Sequence, residues 1–296
     1  MDLIASSQGI GIYAERGWEY SFFASPYVAH REFKAVDVYQ GREFGETALS
    51  PVSGRVFKVM RFDSPSPTSR SLPEYLILVQ NGDHLVRIMH IEPLVKEGEW
   101  IHVGDEFGRF IRNGYFFHWV DAGMHIEIRD LGDYLRSRGG YELTPAFKGE
   151  ITVGNRLPPE LKGEVVDVNK RNITVGLKRD NINTVKVGDV YTVMDAASSI
   201  GYGGVLGRFR VGGVVYFNGI GIGKINKVGT YMSTFEMEKL RVFANGVEFR
   251  GISSMFGRPV VRLLPEEHGE PVFNKGEIVE IEIKRGRKEG ERDETG

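Results

Sequence analysis

Apolar and polar residues alternate with a period of two along most of this chain, and Gly/Pro-rich turns cut the alternation into short runs. Such runs predict strands with one buried and one open face. The clearest are Phe33–Tyr39, Tyr75–Val79, His84–His90 and Gly123–Arg129 in the first half, then Glu164–Val168, Val187–Val193 and Glu277–Ile283. Asn81-Gly82-Asp83 and Asn245-Gly246 carry the residues that accept left-handed backbone, so each predicts a hairpin. Alternation puts His84, Val86, Ile88 and His90 on one face. In Gly123–Arg129 it makes His125 the inward histidine, with Glu127 and Arg129 directed outward or paired across strands. A short helix is predicted over Ser233–Leu240, capped by Ser233 or Thr234.

The pattern changes character between residues 140 and 165, where Gly139-Gly140 and Leu157-Pro-Pro precede a new series of short strands. We read a mostly β protein: an antiparallel β-groove domain over residues 1–150, and a small β-barrel or β-sandwich domain over 151–284. Residues 285–296, nearly all charge and glycine, are expected to be a disordered tail. The glycine runs Gly201–Gly207 and Gly219–Gly223 lack the lysine or acid of a phosphate cradle, so they read as tight turns and strand crossings.

At 296 residues, two ordinary cores fit. The formal charge of −2 offers no basic face for nucleic acid. With no cysteine, disulfides, Cys-ligated zinc and thiol catalysis are excluded. Few glutamines beside abundant Lys, Arg and Glu resemble a heat-adapted composition. No apolar run reaches a membrane-spanning length and no leader is apparent, so the expectation is a cytoplasmic protein without a membrane partner.

Three residues on three predicted strands carry candidate chemistry: Asp37, His90 and His125. An aspartate and two histidines in a β groove are the donor types of a zinc-hydrolase site. The runs Ala35–Val38, Thr47–Val56, Ile88–Ile91, Val95–Phe110 and Gly123–Arg129 occur in an order that resembles the LytM/lysostaphin-type zinc metallopeptidases. The likeness covers about residues 30–130. It implies the duplicated hybrid motif β fold, Asp37 and His125 as zinc ligands, and His90 as a catalytic histidine. It also exposes two departures. Phe33 stands where the first zinc ligand belongs, and Gly123 where a second catalytic histidine belongs.

Two histidines are candidates for these gaps: His30 as a third metal ligand if a bulge brings it round, and His118 as a replacement catalytic group. Otherwise both are rim residues. With two ligands the site would be a pseudoenzyme, so the sequence leads to a non-catalytic scaffold that binds an extended peptide or small ligand between the 63–73 and 111–122 loops. A zinc-dependent hydrolase with the rearranged set Asp37, His125 and His30 is the alternative, and a homo-oligomer built through the second domain is a third possibility.

Overall fold

The computed structural model describes residues 1–23, 25–41, 43–64, 72–136, 138–146, 153–158, 160–176, 183–256, 258–267 and 269–286. The chain divides into two compact units, Met1–Phe22 with Pro26–Ile151 and Phe23–Ser25 with Thr152–Gly296. It is mostly β, with a curled sheet and a closed six-strand barrel. Most of the 63–73 loop and residues 287–296 of the expected tail lie outside the described residues, whereas Arg285 ends a strand.

The first unit is built on a seven-stranded antiparallel sheet. Its strands in chain order are β1 (Glu19–Ser21), β2 (Ala35–Tyr39), β3 (Gly54–Ser64), β4 (Leu72–Asn81), β5 (His84–Met89), β6 (Trp100–Ile101) and β7 (Gly123–Asp130). In space they run β6-β3-β4-β5-β7-β2-β1. Val36 and Val38, Ile77 and Val79, Val86 and Ile88, and Ile126 and Ile128 are fully buried, so the back face of the sheet is core. Gly82, with φ at 58°, makes the two-residue turn that pairs Asn81 with His84. Two small three-stranded sheets complete the unit.

Alternation breaks where it matters most. His90 adopts a left-handed φ of 71°, which rolls its side chain off the face of Val86 and Ile88. It joins Arg87 and Met89 in lining the groove instead. The expected shared face of His84, Val86, Ile88 and His90 is therefore corrected at His90. Of the two alternatives for Glu127 and Arg129, the outward one does not occur, and Glu127 pairs across strands with Arg87, its register partner on β5. Glu127 and Arg129 share the groove face of β7 with His125 and are fully buried.

In the second unit the barrel strands are β8 (Thr184–Val187), β9 (Val190–Ala197), β10 (Tyr202–Leu206), β11 (Val214–Phe217), β12 (Ile220–Val228) and β13 (Met232–Met237). They run β8-β11-β12-β13-β10-β9 and close through pairing of β8 with β9. The sheet continues from β9 through seven further strands to the hairpin at Asn245-Gly246. Val185, Val205, Val215, Phe217 and Phe235 fill the interior.

The helix expected over 233–240 is absent. Its first part is β13, paired on both sides, and the Ser233 hydroxyl caps no helix but donates to the Gly207 carbonyl and accepts from the Phe209 amide. Two backbone ladders outweigh one capping hydrogen bond. The glycines behave as expected: Gly219 turns β11 into β12 with a φ of 77°, and a Cβ at Gly223 would lie 2.2 Å from the Glu236 carbonyl of the crossing strand.

Candidate metal centre

Three donor atoms converge on the groove face of the first unit. His30 Nε2 lies 3.1 Å from Asp37 Oδ1 and 3.1 Å from His125 Nδ1, and His125 Nδ1 lies 2.9 Å from Asp37 Oδ1. Among the described residues this is the group of acidic and histidine side chains able to hold a metal. In a tetrahedral site with bonds of about 2.0–2.1 Å, neighbouring donors are about 3.3 Å apart. The triangle seen here is slightly tighter than that, and a small outward movement of each ring would fit zinc.

Sequence pattern explains two corners of the triangle directly. Asp37 on β2 and His125 on β7 are cross-strand partners, directly opposite in register, so alternation on each strand brings them face to face. The third corner arises differently. His30 sits on α1 (Val28–Arg31), a single turn that no strand pattern contains. The turn closes with Arg31 N–H donating to Tyr27 O and Glu32 N–H to Val28 O. Phe33 then takes a left-handed φ of 62°, which turns the chain into β2 and buries its own ring, 2% exposed, in the core. Thus position 33 supplies no donor because its side chain faces away from the groove, and His30 supplies it from one turn earlier. A helical turn replaces the bulge that strand parity required.

The outer nitrogens of both rings are held. His30 Nδ1 donates to the Phe22 carbonyl at 2.7 Å, and His125 Nε2 donates to Glu127 Oε1 at 2.9 Å. With both rings neutral and those protons placed, His30 Nε2, His125 Nδ1 and the Asp37 carboxylate all direct lone pairs at one point, which in the metal-free protein a proton on His125 Nδ1 occupies. Lone pairs about 3 Å apart repel unless a cation lies among them. A carboxylate or carbonyl behind each ligating histidine is also the usual second layer of a metal site.

Glu127 is itself fixed. It forms an ion pair with Arg87 and accepts from Arg129 Nε at 2.9 Å and Nη2 at 2.8 Å. Both arginines reach onward to carbonyls of the following loop, Arg87 to Tyr134 and Arg136 and Arg129 to Asp133. Burial pushes the Glu127 carboxyl up, yet the hydrogen bond and charge of His125, with the two guanidiniums, pull it down to about 2. For His125, burial opposes the charged ring and the Asp37 and Glu127 hydrogen bonds overcome it, raising the ring to about 9. Asp37 is held well below the ordinary carboxylate range, since His30 and His125 outweigh its burial.

His90 faces the same groove, its ring centroid 6.3 Å from that of His125. Glu74, fully buried, accepts from His90 Nδ1 at 2.5 Å, from the His90 amide at 2.8 Å and from Asn113 Nδ2 at 2.8 Å. This bidentate hold explains how a non-glycine residue is kept in left-handed backbone. It also leaves Nε2 as the nitrogen presented to the groove. Tyr27 and Tyr115 flank it, their rings 5.7 Å apart. Burial, then Tyr115, Asp37 and Glu74, push the Tyr27 phenol up to about 12; burial and Glu74 also raise Tyr115. Both stay protonated donors at neutral pH.

His118 does not join the group. Asn113 is drawn in to Glu74, and the loop after it turns Tyr115 and Phe116 toward His90. His118 lies further along, edge-on to Trp119 at 4.7 Å. No side chain fits at Gly123 either, because a Cβ there would meet the Tyr39 ring at 2.7 Å. Sequence reasoning missed Glu74 and Glu127. The signal for Glu127 was its place two residues after His125, and for Glu74 an acid inside an otherwise apolar strand.

A family model described as a domain of unknown function (DUF8155), N-terminal domain, matches residues 12–145, the span that contains every residue of this site. No curated protein and no solved structure matches the chain.

Proposed function

We propose that the first unit is a zinc-dependent hydrolase of peptide bonds, built as the resemblance to LytM/lysostaphin-type metallopeptidases implies but with His30 in the ligand set. The observation that carries this reading is the convergence of His30 Nε2, Asp37 Oδ1 and His125 Nδ1 within 3.1 Å of one another. The scaffold reading rested on a site with two donors, and the third donor removes that ground. Three protein ligands leave the fourth position of a tetrahedral zinc for water or substrate.

Bound zinc would supply Lewis acidity and a water of lowered pKa. The chain's own residues supply the remainder. Phe22 O and Glu127 fix the ligand rings in the tautomers that coordinate. His90, oriented through Nδ1 by Glu74, moves a proton at Nε2 between the attacking water and the leaving amine. The neutral phenols of Tyr27 and Tyr115 donate to oxygen as it gains charge. With Gly123 and His118 contributing nothing, this site would have one catalytic histidine where the peptidases it resembles in sequence pattern have two.

Elemental analysis of the tag-free protein beside His30→Ala and His125→Ala tests the reading. The expected result is near-stoichiometric zinc in the wild type and its loss in both variants, followed by chelator-sensitive cleavage of peptides. Wild-type protein that takes up no zinc when zinc is supplied would leave a binding scaffold.

A further inference from the structure

The cavity beside the triad has a one-sided chemistry. It encloses about 470 Å³ and reaches from His90 and His125 along the sheet, a size within the ordinary range for small-ligand sites. Its axis is a single cross-strand rung. Asp37 opposes His125, His125 opposes Met89, Met89 opposes Leu76 and Leu76 opposes Met60. Strands are spaced by about 4.8 Å, so an apolar strip begins one strand from the ligand histidine and extends about 14 Å from it. Phe62 and Leu135 also line the strip.

The one acid on the wall is already committed. Glu127 is shared among Arg87, Arg129 and His125, so it is not left to neutralise a cationic side chain entering the cavity. Methionines at two of the three apolar positions on the rung give a lining that adapts to side chains of different shape.

Resting on the hydrolase reading, we infer that the groove selects peptides with a large apolar side chain on the residue whose carbonyl meets the metal. That side chain lies along Met89 and Leu76, the near part of the strip. Glycine in the same place would leave the strip empty, while lysine would bring a positive charge beside Arg87, where the one acid on the wall, Glu127, is already shared.

The test uses N-acetyl amino-acid hydroxamates, whose two oxygens hold zinc through the carbonyl end, titrated calorimetrically into the zinc-loaded full chain. The leucine, methionine and phenylalanine compounds are expected to bind about 10- to 100-fold more tightly than the glycine compound, from burial of one side chain. The lysine compound should gain nothing over glycine. Met60→Trp, whose longer side chain can cover its cross-strand partner Leu76, should cut the apolar gain to about threefold or less while glycine hydroxamate binds as before. If glycine, leucine and phenylalanine hydroxamates all bind zinc-loaded protein equally, the metal reading stands and this inference falls. If no hydroxamate binds and the protein carries no zinc, both fall.

Discussion

Glu127 Oε1 lies 2.9 Å from Nε2 of His125, two residues earlier on the same strand face, and both side chains are buried. That contact turns an ordinary alternation of strand residues into a ligand with its own support. In the neutral ring it fixes which nitrogen of His125 bears the proton, and therefore which one offers a lone pair beside Asp37 and His30.

Replacing the support should weaken the centre without removing a ligand. Glu127→Gln is expected to lower zinc affinity about 10- to 100-fold, the usual cost of losing a partner behind a ligating histidine. The variant also leaves Arg87 and Arg129 facing a neutral amide, so its melting temperature should fall. Competition with a chromophoric chelator measures the affinity, and an unchanged value would show that His125 needs no help from Glu127.

Position 33 offers a sharper contrast. His30→Ala should abolish stoichiometric zinc, and adding Phe33→His should not restore it. The Phe33 side chain points into the core from a left-handed residue, so a histidine there would be buried away from Asp37 and His125. The double variant should also unfold more easily, because it loses a buried aromatic worth about 3–5 kcal/mol. Zinc bound by the double variant at wild-type level would mean that α1 rearranges.

Most of the sheet was legible because strand alternation and turn residues are local signals. Asp37 and His125 followed from them, since each lies on a strand whose faces the apolar residues mark. His30 was only half legible: it could be named as a donor but not placed, because a four-residue helix leaves no periodic trace. The face of His90 was misread for a related reason. One left-handed residue reverses a strand's faces, and the cause, a buried Glu74 sixteen residues away, is a tertiary contact. The helix expected at 233–240 failed in the same manner, where pairing partners distant in sequence outweighed a local cap.

The raised His125 ring predicts an inversion of pH dependence between metal-free and zinc-loaded protein. A folded-state value of about 9 against an ordinary 6.5 means that protonated His125 stabilises the metal-free fold. This contribution is complete below about pH 6.5 and is lost as pH rises through about 9. Melting temperature in a chelator should therefore decline from about pH 7 to about pH 10. Zinc needs the neutral ring, so its affinity should rise over the same interval. On the acid side Glu127, held at about 2, contributes stability that is lost as pH falls from the ordinary carboxylate range through that value. Thermal melts with chelator and with zinc, run side by side, check both slopes; a flat profile in chelator would contradict the first.

Glu74 gives the prediction that separates catalysis from folding and metal binding. It touches neither Asp37, His30 nor His125 in the hydrogen-bond network of the site, so Glu74→Gln should retain zinc. The amide keeps one acceptor oxygen but no longer offers a charge to His90 Nδ1. The ring is then free to turn away from the groove. For any peptide the wild type cleaves, kcat should fall at least about tenfold with KM nearly unchanged. His90→Ala should cost about 10²- to 10⁴-fold, and Glu74→Gln added to it should cost nothing further in kcat. If Glu74→Gln lowers kcat equally with and without His90, Glu74 serves only to hold the 111–122 loop through Asn113, and the proton transfer belongs to another group.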